Sequence, residues 1–217
     1  MKIISVVTAF ITSCVLSSPV FAQPNKFQTA SVTKSTSSVN SPKNLYIDVH
    51  HLGAGNVNFD AVAKAHAKDL AVEGKHGVNL IKYWVDEKNG TIMCLAEAPN
   101  ADSLVKTHKE AHGLLPDEVY QVTAGKEEAI KGKNNLYLDV HKLGAGNVTA
   151  EAVAGAHQKD LAVEKKYGVN LINYWVDEKT GTIMCLAQAP DSAALINTHK
   201  EAHGLVPVSV VKVKQGQ

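Results

Sequence analysis

Eight histidines and two cysteines recur in register along this chain. The pairs are His50/His141, His66/His157, His108/His199, His112/His203 and Cys94/Cys185, each separated by 91 positions. Imidazole nitrogen and thiolate sulfur are donors that transition metals accept. His108 and His112 stand four apart in His108-Lys109-Glu110-Ala111-His112, and an i, i+4 pair of imidazoles on a helix reaches one point in space. The spacing predicts a divalent metal ion on His108 and His112, with His50, His66 or Cys94 completing its shell. His199, His203, His141, His157 and Cys185 would do the same in the second copy. Such donors suit nickel, zinc or copper, and spacing does not choose among them. The opposing reading is that these histidines are hydrogen-bonded core residues, favoured near a helix C-terminus by its dipole. The pair is not a zinc-protease motif, which needs Glu directly after the first His; Glu110 is two residues on.

The elements that must position these residues also come twice. Residues 44–122 and 135–213 align without a gap, with about 56 of 79 positions identical. Leu45 to His50 alternates as a half-buried strand does. Residues 59–73 carry Val62, Ala65, His66 and Asp69 on one helical stripe, and Gly77 punctuates the exit. Asn79–Asp86 and Thr91–Ala96 read as strands joined at Asn89-Gly90, a hairpin signal replaced by Thr180-Gly181 in the second copy. Residues 101–112 read as a second helix bearing Leu104, Val105, His108, Ala111 and His112 and stopped at Gly113, and Val119–Val122 reads as a last strand. The order βαββαβ is the ferredoxin-like arrangement. One sheet face of such a unit needs a partner, and the second copy supplies it. The expectation is an α+β protein: two tandem ferredoxin-like domains packed sheet to sheet as an intramolecular barrel pseudo-dimer, with room for further self-association.

A second site can be drawn in that barrel. If Leu45, Ile47 and Val49 face the helices, then Tyr46, Asp48 and His50 face the lumen, joined by Trp84 or Tyr83. A polar trio there is either a ligand site or a core network. The alternative function is therefore a small-molecule binder or enzyme using Tyr46, Asp48, His50 and their counterparts Tyr137, Asp139 and His141. No nucleophile elbow is present, and Gly53-Ala54-Gly55-Asn56 lacks the third glycine of a dinucleotide fingerprint. The motifs lean away from an enzyme.

A net charge of +1 gives no electrostatic case for nucleic acid. Met1-Lys2, an apolar stretch from Ile3 to Leu16 and Val20-Phe21-Ala22 predict a signal peptide over 1–22, with Gln23 first in the mature chain. The apolar run is too short and too interrupted for a membrane span. A lipid anchor at Cys14 is the weaker fit, because a better cleavage site lies downstream. The expected location is periplasmic or extracellular. Residues 23–43 read as a flexible leader and 123–134 as a polar linker. In an oxidising compartment Cys94 and Cys185 could pair, ligate metal or stay buried.

The segments AHAKDLAVEGKHGVN, YWVDEKNGTIMCLAEAP and HKEAHGLLPDEV, each with a second-copy counterpart, resemble a family of small bacterial domains of formally unknown function. Its best-described type is a dimeric, ferredoxin-like nickel-binding protein. The resemblance implies that fold and nickel binding. The motif positions that match are His66, Cys94, His108 and His112, and His157, Cys185, His199 and His203. Two features depart from the family: two copies are fused in one chain, and an export signal precedes them.

Overall fold

The computed structural model describes residues 42–217. The expected signal peptide, the Cys14 anchor and nearly all of the leader lie outside the described residues. The first copy runs β1 (Asn44–His51), α1 (Phe59–Val72), β2 (Asn79–Asp86), β3 (Thr91–Ala98), α2 (Ala101–Ala111) and β4 (Glu118–Ala124). The second runs β5 (Asn135–Lys142), α3 (Ala150–Val163), β6 (Asn170–Asp177), β7 (Thr182–Ala189), α4 (Ser192–Ala202) and β8 (Ser209–Gly216). This is the expected βαββαβ order in each copy. No helix among the described residues is long and apolar enough to cross a membrane.

Local chemistry fixes the helix starts. The side chains of Asn58 and Thr149 accept hydrogen bonds from the N–H groups of Ala61 and Ala152, and Asn100 and Asp191 do the same for Ser103 and Ala194. Each satisfies an amide that the helix itself leaves unpaired. Gly90, at φ 73°, closes the β2–β3 hairpin, and its carbonyl accepts from Leu52 N–H at 2.8 Å. A Cβ on Gly90 would sit 1.9 Å from the Gly53 carbonyl oxygen. Two glycines thus let the loop after β1 press against the hairpin and hold the His50 end of β1 in place.

The eight strands close into one barrel in the order β1-β3-β2-β8-β5-β7-β6-β4. Two seams join the copies, and both are made by last strands that overshoot their own sheet. Thr123 and Ala124 of β4 pair with Val176 and Trp175, while Lys214 to Gly216 of β8 pair with Val85 to Tyr83. Gly125 and Gly216 sit where a Cβ would meet the rings of Tyr174 and Tyr83 at 2.3 and 2.2 Å. Closure removes the exposed sheet edges that would otherwise recruit other strands.

The lumen is apolar. Ile47, Val49, Trp84, Met93 and Leu95 meet Leu138, Ile172, Trp175, Met184 and Leu186 there. Trp84 and Trp175 pack with ring centroids 4.9 Å apart. This reverses the side expected for β1. Ile47 and Val49 point into the barrel, whereas Tyr46 packs with Leu104 beneath the helices and Asp48 meets His108 of α2. Both faces of β1 are buried, so alternation alone does not say which face is which. The cost of burying an unpaired carboxylate decides: Asp48 finds its imidazoles under the helices and would find only hydrocarbon in the lumen. The lumen site expected for Tyr46, Asp48, His50, Tyr137, Asp139 and His141 is therefore not formed.

Candidate metal centre

Four elements bring the chemistry together under the helices of each copy. Asp48 and His50 come from β1, Cys94 from β3, His108 and His112 from α2 and Asp69 from α1. Asp48 and Cys94 stand directly opposite in the β1–β3 register, as do Asp139 and Cys185 in β5–β7. One donor atom from each of Asp48, His50, Cys94 and His108 lies within 4.8 Å of the others, and all four residues are buried. Asp139, His141, Cys185 and His199 repeat the group.

His108 is the pivot. Its Nδ1 is 3.0 Å from Asp69 Oδ1 and its Nε2 is 3.3 Å from Asp48 Oδ2. Both partners are acceptors, so both ring nitrogens donate and the ring is an imidazolium. Burial pushes its pKa down, but the two carboxylates prevail and raise it from 6.5 to about 10. His199 repeats this between Asp139 and Asp160, at 3.3 and 3.0 Å, and is also pushed up to about 10. Burial would raise the Asp48 carboxyl; the imidazoles of His108 and His50 outweigh it and hold the group below its ordinary value.

His50 meets the same carboxylate differently. Its Nδ1 donates to the Leu115 carbonyl at 3.2 Å; a carbonyl only accepts, so the hydrogen is on Nδ1. Its Nε2 lies 3.0 Å from Asp48 Oδ1, a buried oxygen with no aligned hydrogen bond among the described residues. A proton on Nε2 or a bound metal ion satisfies both atoms at that distance. The donor set of two imidazoles, a carboxylate and a thiol fits a divalent transition ion. It does not distinguish nickel from zinc or copper.

The remaining expected residues divide. His112 accepts from Leu114 N–H at Nδ1 (3.1 Å) and donates from Nε2 to Asp69 (3.2 Å). It is complete as a neutral ring, and burial holds its pKa below the usual value. The α2 histidine pair thus converges on Asp69, which with them forms a second, smaller group; Asp160, His199 and His203 mirror it. His66 and His157 stand apart from both groups, packed at a tilt against Tyr83 and Tyr174 with ring centroids 4.7 and 4.8 Å away. Burial depresses both. Cys94 and Cys185 are free, and burial pushes both thiols well up, with the neighbouring aspartates adding to it. Of the three fates open to them, pairing is the one the fold does not make.

Asp48 and Asp69 are the ligand-capable residues that the histidine pattern left out. Asp69 carried a signal: a carboxylate on an apolar helical stripe is almost never buried without a partner.

The profile of the family described as "Nickel responsive protein SCO4226-like" matches residues 46–122 and again 137–213. The solved structure of SCO4226 from Streptomyces coelicolor A3(2) is 36% identical over 35% of this chain and 90% of its own, with a TM-score of 0.33. A putative monooxygenase from Lactobacillus acidophilus NCFM overlaps 80% of this chain and 93% of its own at 12% identity and a TM-score of 0.44. A mutant chlorite dismutase from Candidatus Nitrospira defluvii overlaps 81% and 91% at 7% identity and a TM-score of 0.46. Overlaps this partial carry nothing about function. No curated protein matches the chain.

Proposed function

The chain belongs to the SCO4226-like family of nickel-responsive proteins, and we propose that it is an exported metal-binding protein that takes nickel, one ion in each copy. The ion is cargo or signal here, to be buffered, carried or sensed. Asp48, His50, Cys94 and His108 hold it in the first copy, and Asp139, His141, Cys185 and His199 in the second. The observation that carries the reading is the confrontation of His50 Nε2 with the hydrogen-bond-free Asp48 Oδ1, repeated at 3.1 Å by His141 and Asp139. Nickel is preferred over zinc and copper because the family is described as nickel responsive. Export rests on the N-terminal pattern of charge, apolar run and small residues.

The protein is tested by dialysis against equal nickel, zinc and copper, then elemental analysis of the retained metal. The expected result is about two nickel ions per chain, in line with one closed set of donors per copy. The double variant His50→Gln/His141→Gln should retain none. No retained metal, or retention unchanged in that variant, would leave the two networks as structural ion pairs. Processing is read separately, by the mass of the secreted protein: a mature chain starting at Gln23 is expected, and an intact or lipid-modified N-terminus overturns that part.

A further inference from the structure

The cavities beside the two centres differ in size, and every residue around the smaller recurs at the matching position around the larger. In the second copy the space is about 120 Å³ and reaches His157, Tyr174, Cys185 and His203. In the first it is about 30 Å³ between His66, Tyr83, Cys94 and His112. Every residue around the larger space has an identical counterpart 91 positions earlier, so the lining cannot explain the difference. The neighbour does. Phe59 opens α1 and packs on the cluster of Val57, Val62, Tyr83 and Cys94, its ring 5.7 Å from that of Tyr83. The equivalent first residue of α3 is Ala150. Without the phenyl roof, Tyr174, His157 and Cys185 are half-buried where Tyr83, His66 and Cys94 are buried.

We propose that the second copy admits a small exogenous ligand to its centre and that Phe59 closes the first copy against it. The ligand is uncharged and of few heavy atoms, with one donor atom to place beside Cys185 and His203. Its neutrality follows from the lining: no lysine or arginine borders the space, and Asp139 and Asp160 flank the single imidazolium of His199. The identity of the bound donor atoms rests on the metal reading above; the difference in access does not.

Two arms test this separately. In metal-free protein, methyl methanethiosulfonate, a small neutral thiol reagent, is followed at each cysteine by peptide mass. The two thiols have matching neighbours and differ in exposure, Cys94 buried and Cys185 half-buried, so rate reports access, and Cys185 should react about tenfold faster than Cys94 or more. Ala150→Phe should slow Cys185 to the rate of Cys94, and Phe59→Ala should speed Cys94. Ala150→Leu repeats the first variant with a smaller plug. Equal rates, or a Cys185 rate indifferent to Phe and Leu at 150, overturn the proposal. In nickel-loaded protein, 2-mercaptoethanol should change the visible absorption of one ion per chain, and Ala150→Phe should abolish the change with both ions retained. A change at both ions or at neither overturns it. A chain that holds no metal fails the functional reading while the labelling result stands.

Discussion

His50 Nε2 faces Asp48 Oδ1 across 3.0 Å with no hydrogen bond joining them. The two residues therefore play different parts in the metal-free protein. Asp48 is the carboxylate partner of the buried His108 imidazolium; His50 lies beside it, anchored by its own bond to the Leu115 carbonyl. Asp48→Asn should destabilise the metal-free chain by about 3–5 kcal/mol, the cost of stranding one member of a buried ion pair. His50→Gln should cost less than about 1 kcal/mol, since an amide can still donate to the Leu115 carbonyl. Urea melts of both variants decide it. Equal large losses would mean that His50 is itself a charged partner of Asp48.

The pH dependence of the metal-free protein follows from His108 and His199. Their folded pKa of about 10 stands above the ordinary 6.5, so their stabilisation is fully present below pH 6.5 and is lost as pH rises through about 10. Asp48 and Asp139 are held below 3.8; their contribution is present above pH 3.8 and is lost as pH falls through their lower folded pKa. The raised thiols of Cys94 and Cys185 add to the alkaline loss. Tm should decline from neutral pH toward pH 10, and less steeply in His108→Gln/His199→Gln. An unchanged alkaline decline would place the titrating group elsewhere.

Metal uptake must displace the His108 proton and the Cys94 thiol proton if both residues ligate. Apparent nickel affinity should then rise about tenfold per pH unit for each proton released, and calorimetry in buffers of different ionisation enthalpy counts those protons. No proton release between pH 6 and 8, the range about one unit either side of neutrality in which free imidazole titrates, would remove His108 from the ligand set.

The seams are not equivalent, and one can be improved. Trp84 Nε1 donates to Gln215 Oε1 at 2.9 Å, whereas Trp175 Nε1 is buried with no partner among the described residues. Ala124 stands opposite Trp175 where Gln215 stands opposite Trp84. Ala124→Gln should raise stability by about 1–2 kcal/mol, the recovery of an unsatisfied indole N–H. Gln215→Ala should lower it by a similar amount. A destabilised Ala124→Gln would show that the β4–β6 seam cannot seat the amide.

The element order was legible because helices and strands differ in period and because Asn89-Gly90, Gly77 and Gly113 mark their ends. The histidine register was legible from the duplication alone. The facing of β1 was not, since helices cover one side and the opposite sheet the other, and Ile47 and Asp48 are equally inaccessible. Nor was the reach of β4 and β8. Past Val122 and Val213 the copies share Gly125 and Gly216 but differ at Thr123/Lys214 and Ala124/Gln215, because each overshooting strand meets the other copy. The role of Asp69 depended on α1 and α2 lying side by side, a contact that residues 43 positions apart do not announce.

The exchange of β4 and β8 across the seams has an evolutionary consequence. In a barrel made of two identical chains, any substitution is made at both centres at once. Here each half still needs the other to complete its sheet, yet position 59 can hold Phe while position 150 holds Ala. Covalent fusion keeps the architecture obligate and makes the two centres separately heritable, so one can be conserved for retention while its twin is free to acquire a new client.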